Sequence, residues 1–228
     1  SNGLGSDAFA LMWDGNAVRG YNGSGRSPRR LDVHAYSQFS SMPKHGWLSI
    51  TVPGAIDLWF RLWKDHGRLT FAELFEPAID YARNGFLVSP QTARSWQYAK
   101  DQFKNRSDWK DTFLFNGEAP QPGQRVCLPG HARTLEAIAE SEGRAFYEGD
   151  IAAAIEECSR QENGYMKRDD LKDHQTESVN PITLDYRGRT LHEIPPNGQG
   201  IAALVGLGIL KHFDLPNELP DSSDTLHL

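Results

Sequence analysis

Cysteine is scarce in this 228-residue sequence: only Cys127 and Cys158, far apart, in neither a CxxC pair nor a disulfide framework. That excludes a small disulfide-stapled scaffold and leaves a buried or half-buried thiol as the plain expectation for each. The redox compartment stays open. Long apolar runs are missing too. The longest, residues 201–210, is half of the ~20 residues a membrane span needs, so no span is expected. Positive charge is in deficit, with a formal net charge of -6. A nucleic-acid partner is thereby excluded, since phosphate binding needs a concentrated basic face. Arg29 and Arg30, the compact basic pair, read as a solvated loop.

Several chemical signatures are absent as well. The eight histidines are scattered with no HxH or HExxH spacing, so no metal site is expected. Asp169-Asp170, with Asp173-His174 beyond, is the densest group of potential ligands. The preference for acids in a first helical turn explains it as an exposed helix start. No GxGxxG is complete: Gly3-Leu4-Gly5 and Gly23-Ser24-Gly25 are fragments, and no cofactor is expected. Ser41-Met42-Pro43-Lys44 matches the SxxK of serine acyl-enzymes, but that motif needs a helix and Pro43 opposes one. Asn22-Gly23-Ser24 and Asn105-Arg106-Ser107 match the glycosylation triplet, a pattern short enough to recur by chance.

What is present reads as three regions. Residues 8–13 and 17–21 around Asp14-Gly15-Asn16 make a β-hairpin, residues 22–44 a polar loop, and residues 47–52 a third strand closed by Pro53-Gly54. The middle is helical. Ile56, Trp59, Phe60 and Trp63 share one face of a helix over residues 55–66, an aromatic stripe that belongs in a core. Thr70 and Glu73 form a capping-box pattern, and Asn84-Gly85 a left-handed stop. Further helices are predicted over 132–142 and 151–161, with a mixed stretch between Ser95 and Pro129. The third region returns to a hairpin, residues 181–186 and 190–194 around Arg187-Gly188-Arg189. An apolar helix to about His212 follows, apolar on most sides and so expected in a core against a sheet. At this length the chain is one large domain or two small ones. Both ends read as cut. Ser1 opens without methionine almost directly into a strand, and the helix-start signal Asp221-Ser222-Ser223-Asp224 is followed by one turn. The lack of a signal peptide is therefore uninformative.

The Asn22-Gly23-Ser24-Gly25-Arg26 stretch carries the most specific chemistry. Glycines let backbone amides converge on an anion, and an adjoining arginine can grip a carboxylate with two parallel hydrogen bonds. The other reading is a flexible turn with a solvated arginine.

Val52-Pro53-Gly54-Ala55-Ile56-Asp57, then Gly67-Arg68-Leu69-Thr70, Glu76-Pro77-Ala78-Ile79 and Asn84-Gly85-Phe86, resemble the large subunit of γ-glutamyltransferases. So do the opening Gly3-Leu4-Gly5-Ser6-Asp7, Ala145-Phe146-Tyr147-Glu148-Gly149-Asp150, Asp170-Leu171, and Asp185-Tyr186-Arg187-Gly188. Pro195-Pro196-Asn197-Gly198-Gln199-Gly200 stands where the family has a Pro-rich segment with Ser-Ser-Gly-Gly before a helix. Each match is short, but they occur in family order and cover nearly the whole chain.

The resemblance implies an N-terminal-nucleophile hydrolase. Its fold is a four-layer αββα sandwich (an α/β, or α+β, class), of which this chain supplies a helix-rich middle flanked by antiparallel strands. The family's precursor cuts itself, freeing a threonine at the start of a small subunit. That threonine attacks the γ-glutamyl amide and passes the acyl group to water or an amino acid, its own α-amine serving as base. The chain, residues 1–228, would be an incomplete large-subunit portion of a single domain, inert alone. No catalytic residue is assigned to it. Its implied partners are the small subunit of the same precursor and a γ-glutamyl small molecule. Exported relatives point to the periplasm or the outside of the cell, with the cytoplasm also open. A family arginine that binds the substrate α-carboxylate commonly stands four residues before a proline. Here Ser24 holds that position before Pro28, and Arg26 stands two before it. Either Arg26 takes the role through a shifted loop, or the substrate differs, or the carboxylate is held elsewhere. The family alternatives are a related acylase with another acyl group and a catalytically dead scaffold.

Overall fold

The computed structural model describes residues 3–213 together with 222, 223 and 226. Of the expected C-terminal helix start, Asp221, Asp224, Thr225, His227 and Leu228 lie outside the described residues. Two compact units divide the chain: one of residues 1–61 and 159–228, the other of residues 62–158.

The first unit begins with the expected hairpin, β1 (Ala8–Trp13) and β2 (Val18–Gly23), antiparallel from Ala8↔Gly23 to Trp13↔Val18. Asp14 closes the turn by accepting from the amides of Asn16 and Ala17, each at 2.9 Å, and from Arg19 Nε at 2.5 Å. The predicted third strand does not form. Residues Trp47–Ser49 are a short 3-10 helix, as are Val33–Tyr36, and the chain then runs without regular structure to Gly54. The apolar alternation of residues 47–52 serves packing: the indole of Trp47 donates to Glu162 and Val52 is buried. No helix carries residues 41–44, in keeping with Pro43.

Helix α1 (Ala55–His66) opens in this unit with Ala55, Ile56 and Leu58 buried, and continues into the second. There follow α2 (Phe71–Asn84), β3 (Phe86–Leu87), α3 (Pro90–Gln102), α4 (Ser107–Phe113), β4 (Arg125–Val126), α5 (Pro129–Glu140), α6 (Arg144–Tyr147) and α7 (Asp150–Gln161), which leads back into the first unit. Within the second unit the capping box forms as expected: Glu73 N donates to Thr70 Oγ1 at 3.3 Å and Thr70 N to Glu73 Oε2 at 2.7 Å. Gly85 ends α2 with φ 90° and ψ 154°, an extended positive-φ turn rather than the expected left-handed helical one. It must be glycine, because a Cβ there would lie 2.7 Å from Arg125 Cγ. The aromatics scattered between 95 and 129 form one chain of ring contacts: Phe103–Trp109 and Trp109–Phe113 at 5.5 Å, Trp96–Phe113 at 6.1 Å and Trp96–Phe115 at 6.2 Å. They stand beside a small core of Val88, Ala93 and Val126, while α2 packs on α5. Cys127 is exposed, against the expectation of a covered thiol, and Cys158 is half-buried.

Back in the first unit lie α8 (Arg168–Lys172), β5 (Glu177–Val179), β6 (Ile182–Tyr186), β7 (Arg189–Glu193) and α9 (Gly200–Leu210). Strand β5 joins the hairpin in the order β1-β2-β5, with Asn22 opposite Glu177. Strands β6 and β7 pair through Arg187 and Gly188, both at positive φ, the geometry of a two-residue hairpin turn. Helix α9 packs on β6 and β7, the sheet contact expected of it. Within this chain Leu204 is buried while Ile201, Val205 and Ile209 are exposed.

Candidate functional site

Asn22 ends β2 buried, its side-chain amide donating to Asn197 Oδ1 at 3.1 Å and its Oδ1 accepting from the amide of Ser24 at 2.9 Å. The next amide, of Gly25, donates to Asp7 Oδ1 at 3.2 Å. The amides of Ser24 and Gly25 thus do not converge on one anion: each is bonded to a different side-chain oxygen of the protein, Asn22 Oδ1 and Asp7 Oδ1. Gly25 is glycine for a different reason. A Cβ there would lie 1.6 Å from the carbonyl oxygen of Val52, so the loop lies directly against the Val52-Pro53-Gly54 segment. Gly54 completes that contact, since a Cβ on it would fall 2.0 Å from Gly23 O and 2.7 Å from His174 Nε2. Two of the stretches singled out in the sequence therefore exist to touch each other.

Beyond Gly25 the loop is anchored twice more. Val52 N donates to Arg26 O at 3.0 Å, and Pro28 is fully buried. The side chain of Arg26 is nevertheless 89% exposed. It lines a cavity of about 370 Å³ whose opposite wall is the segment from Asp170 to Glu177. Across it Arg26 Nη2 meets Glu177 Oε1 at 3.1 Å, and Arg29 pairs with Asp173. Asp170 corrects the reading of its pair as an exposed helix start. It is 8% exposed, and its carboxylate accepts from Arg29 N at 3.0 Å and Lys167 N at 2.9 Å. A helix does start there, but the buried carboxylate also binds the arginine loop to α8.

His174 lines this cavity half-buried, and desolvation pulls its pKa below the ordinary histidine value. Asp57 and Asp7 oppose that shift, Arg26 adds to it and Glu177 opposes it. Asp57 also accepts from the amide of Thr176 at 2.6 Å, fixing the segment that leads to Glu177. Sequence reasoning groups Asp173 and His174 with Asp169-Asp170 but sets the group aside as an exposed helix start, and it does not single out Glu177. Asp173 and Glu177 join the site through Arg29 and Arg26, some 150 residues away in the chain. The structure thus brings together Arg26, Arg29, the 52–54 segment and the 170–177 segment. Among the described residues no three histidine, cysteine, aspartate or glutamate side chains gather as a metal site. Two guanidinium groups faced by acids suit a small anionic or zwitterionic ligand.

A model of the γ-glutamyltranspeptidase family matches residues 1–228. The chain belongs to the γ-glutamyltranspeptidase family. It is 40% identical over 215 residues to the glutathione hydrolase-like YwrD proenzyme of Bacillus subtilis, covering 93% of this chain and 41% of that protein. Among solved structures it matches the cephalosporin acylase from Bacillus halodurans with TM-score 0.93 and 42% identity, over 99% of this chain and 44% of that one. The Helicobacter pylori γ-glutamyltranspeptidase superposes with TM-score 0.92 at 23% identity, over 98% and 66% of the two chains, which shows the shared fold. As a family member the chain has the mixed helical and antiparallel-strand architecture of N-terminal-nucleophile hydrolases, its helix-rich middle lying between strands in sequence. It spans about two fifths of the Bacillus subtilis relative's length. No helix among the described residues is long and apolar enough to cross a membrane.

Proposed function

We propose that the protein containing this chain hydrolyses or transfers γ-glutamyl amides through an acyl-enzyme, and that Arg26 binds the α-carboxylate of the acyl donor. The observation that carries this is the Arg26 guanidinium: it reaches into the cavity from a backbone fixed by Val52 N and by the buried Pro28. A held backbone with an accessible head group is preorganised for a bidentate carboxylate contact. On this reading residues 1–228 are the large-subunit portion of one domain. The threonine nucleophile lies in the stretch of the relatives that this chain does not span, and the chain by itself does not turn over substrate.

The full-length protein tests both parts. Intact mass with N-terminal sequencing should give two chains, the smaller beginning with threonine. In a γ-glutamyl anilide assay Arg26→Gln should raise KM about tenfold, the effect of losing a hydrogen-bonded charge contact of roughly 1.5 kcal/mol. An unchanged KM would remove Arg26 from the substrate site.

A second reading is favoured by Ser24, which occupies the position four before Pro28 where an arginine is common in the family. The likeness to an enzyme named a cephalosporin acylase runs the same way. On that reading the acyl group differs from γ-glutamyl, and a panel of anilides with and without the α-amino group separates the two.

A further inference from the structure

We propose that Glu177 is a specificity-determining residue, an internal counter-ion that a donor carboxylate must displace from Arg26. The proposal rests on Arg26 being the carboxylate ligand. Three observations lead to it. First, both cavity arginines are already matched by acids of one short segment, Arg29 by Asp173 and Arg26 by Glu177. Second, the backbones that carry the Arg26–Glu177 pair are fixed independently of the pair. Asn22 is in register with Glu177 across β2 and β5, Thr176 N is held by Asp57, and Arg26 O accepts from Val52 N. The side chains therefore meet because the fold sets them opposite each other, and breaking the pair does not release either strand or loop. Third, both head groups are open to solvent, Arg26 at 89% and Glu177 at 58%, so a small carboxylate can approach the guanidinium. The third acid of the cavity, Asp170, is committed to the amides of Lys167 and Arg29 and does not compete for Arg26.

A carboxylate that binds Arg26 thus exchanges one anion for another. Its apparent affinity is lowered by the strength of the pair it breaks. Exposed ion pairs are weak, so the handicap is about two- to fivefold. A neutral acyl group gains nothing by displacing Glu177, which makes the residue a filter against weakly bound anions.

The test uses full-length protein with three forms: unaltered, Glu177→Gln and Arg26→Gln. Glutamine keeps the length and a carbonyl acceptor but removes the charge, and at this exposed position it leaves thermal unfolding unchanged. With γ-glutamyl anilide, Glu177→Gln should lower KM about two- to fivefold with kcat unaltered. Calorimetric binding of L-glutamate should tighten by the same factor, a readout that needs no turnover. If Arg26→Gln weakens L-glutamate but Glu177→Gln weakens it as well, Glu177 holds Arg26 in place instead of competing, and the proposal is overturned. It is overturned equally if Glu177→Gln changes neither KM nor L-glutamate affinity. If Arg26→Gln changes nothing, the assignment of Arg26 itself fails and the counter-ion role falls with it.

Discussion

The two units of this chain are tied together internally in different ways. In the unit of residues 62–158 the side-chain hydrogen bonds are mostly short-range: Thr70 with Glu73, Ser89 with Thr92, Asn84 with Asp80 at 2.7 Å, Ser141 with Ala145 N at 2.9 Å. Each sits at a helix start or one helical turn apart. In the other unit the decisive bonds join residues more than 100 apart: Arg26 with Glu177, Arg29 with Asp170, Thr176 with Asp57, Asn22 with Asn197. The candidate site lies wholly in that second kind of structure. Local bonds build helices one at a time, whereas a binding cavity needs walls from distant stretches of chain.

That contrast can be broken most sharply at glycine. Gly25→Ala places a Cβ against the Val52 carbonyl oxygen, so it should cost about 3 kcal/mol or more and disorder the arginine loop, read by denaturant unfolding. Gly117→Ala, at φ 80° with nothing within 4 Å, bears only the backbone strain of about 1–2 kcal/mol. Equal losses at the two positions would deny that the first unit depends on close backbone approach.

Next in size is the local cap. Thr70→Ala should lower stability by about 1 kcal/mol, and Thr70→Ser should restore most of it, because the hydroxyl alone serves Glu73 N. A serine variant as unstable as the alanine one would mean that the methyl group, not the cap, matters there.

The smallest effect sharpens the comparison inside the first unit, where the β1–β2 turn is a strongly local feature. The amides of Ala17 and Asn16 and the Arg19 side chain hold the Asp14 carboxyl at a pKa of about 2, below its ordinary 3.8. A depressed acid stabilises the fold above its unfolded pKa and loses that contribution as pH falls through the folded one. Asp14→Asn should therefore lower Tm slightly above pH 4, with the difference shrinking as pH drops from 3.8 toward 2. A difference that is constant over that window would exclude a charge contribution from this turn.

Legibility in the sequence follows the same division. Both hairpins, α1, the Thr70 cap and the presence of α5 and α7 could be read from residue patterns, since turn and cap chemistry acts within a few residues, although α5 starts at Pro129 instead of 132 and β2 runs on through Asn22 and Gly23 into the expected loop. The strand expected at 47–52 failed because alternation alone cannot supply a pairing partner, and β2 already takes β1 and β5 as its neighbours. The packing of α9 on a sheet was legible from its apolarity, whereas which of its faces that sheet covers was not.

The sequence by itself determined the family, the two hairpins with a helical middle between them, and Arg26 as a candidate ligand, all of them carried by short stretches of chain. Only the tertiary structure decided what surrounds Arg26. It committed the Ser24 and Gly25 amides to Asn22 and Asp7, buried Asp170 against the arginine loop, and set Glu177 across the cavity. The register of β2 on β5 sets Asn22 opposite Glu177, and a register needs the patterns of both strands together, here brought from stretches some 150 residues apart.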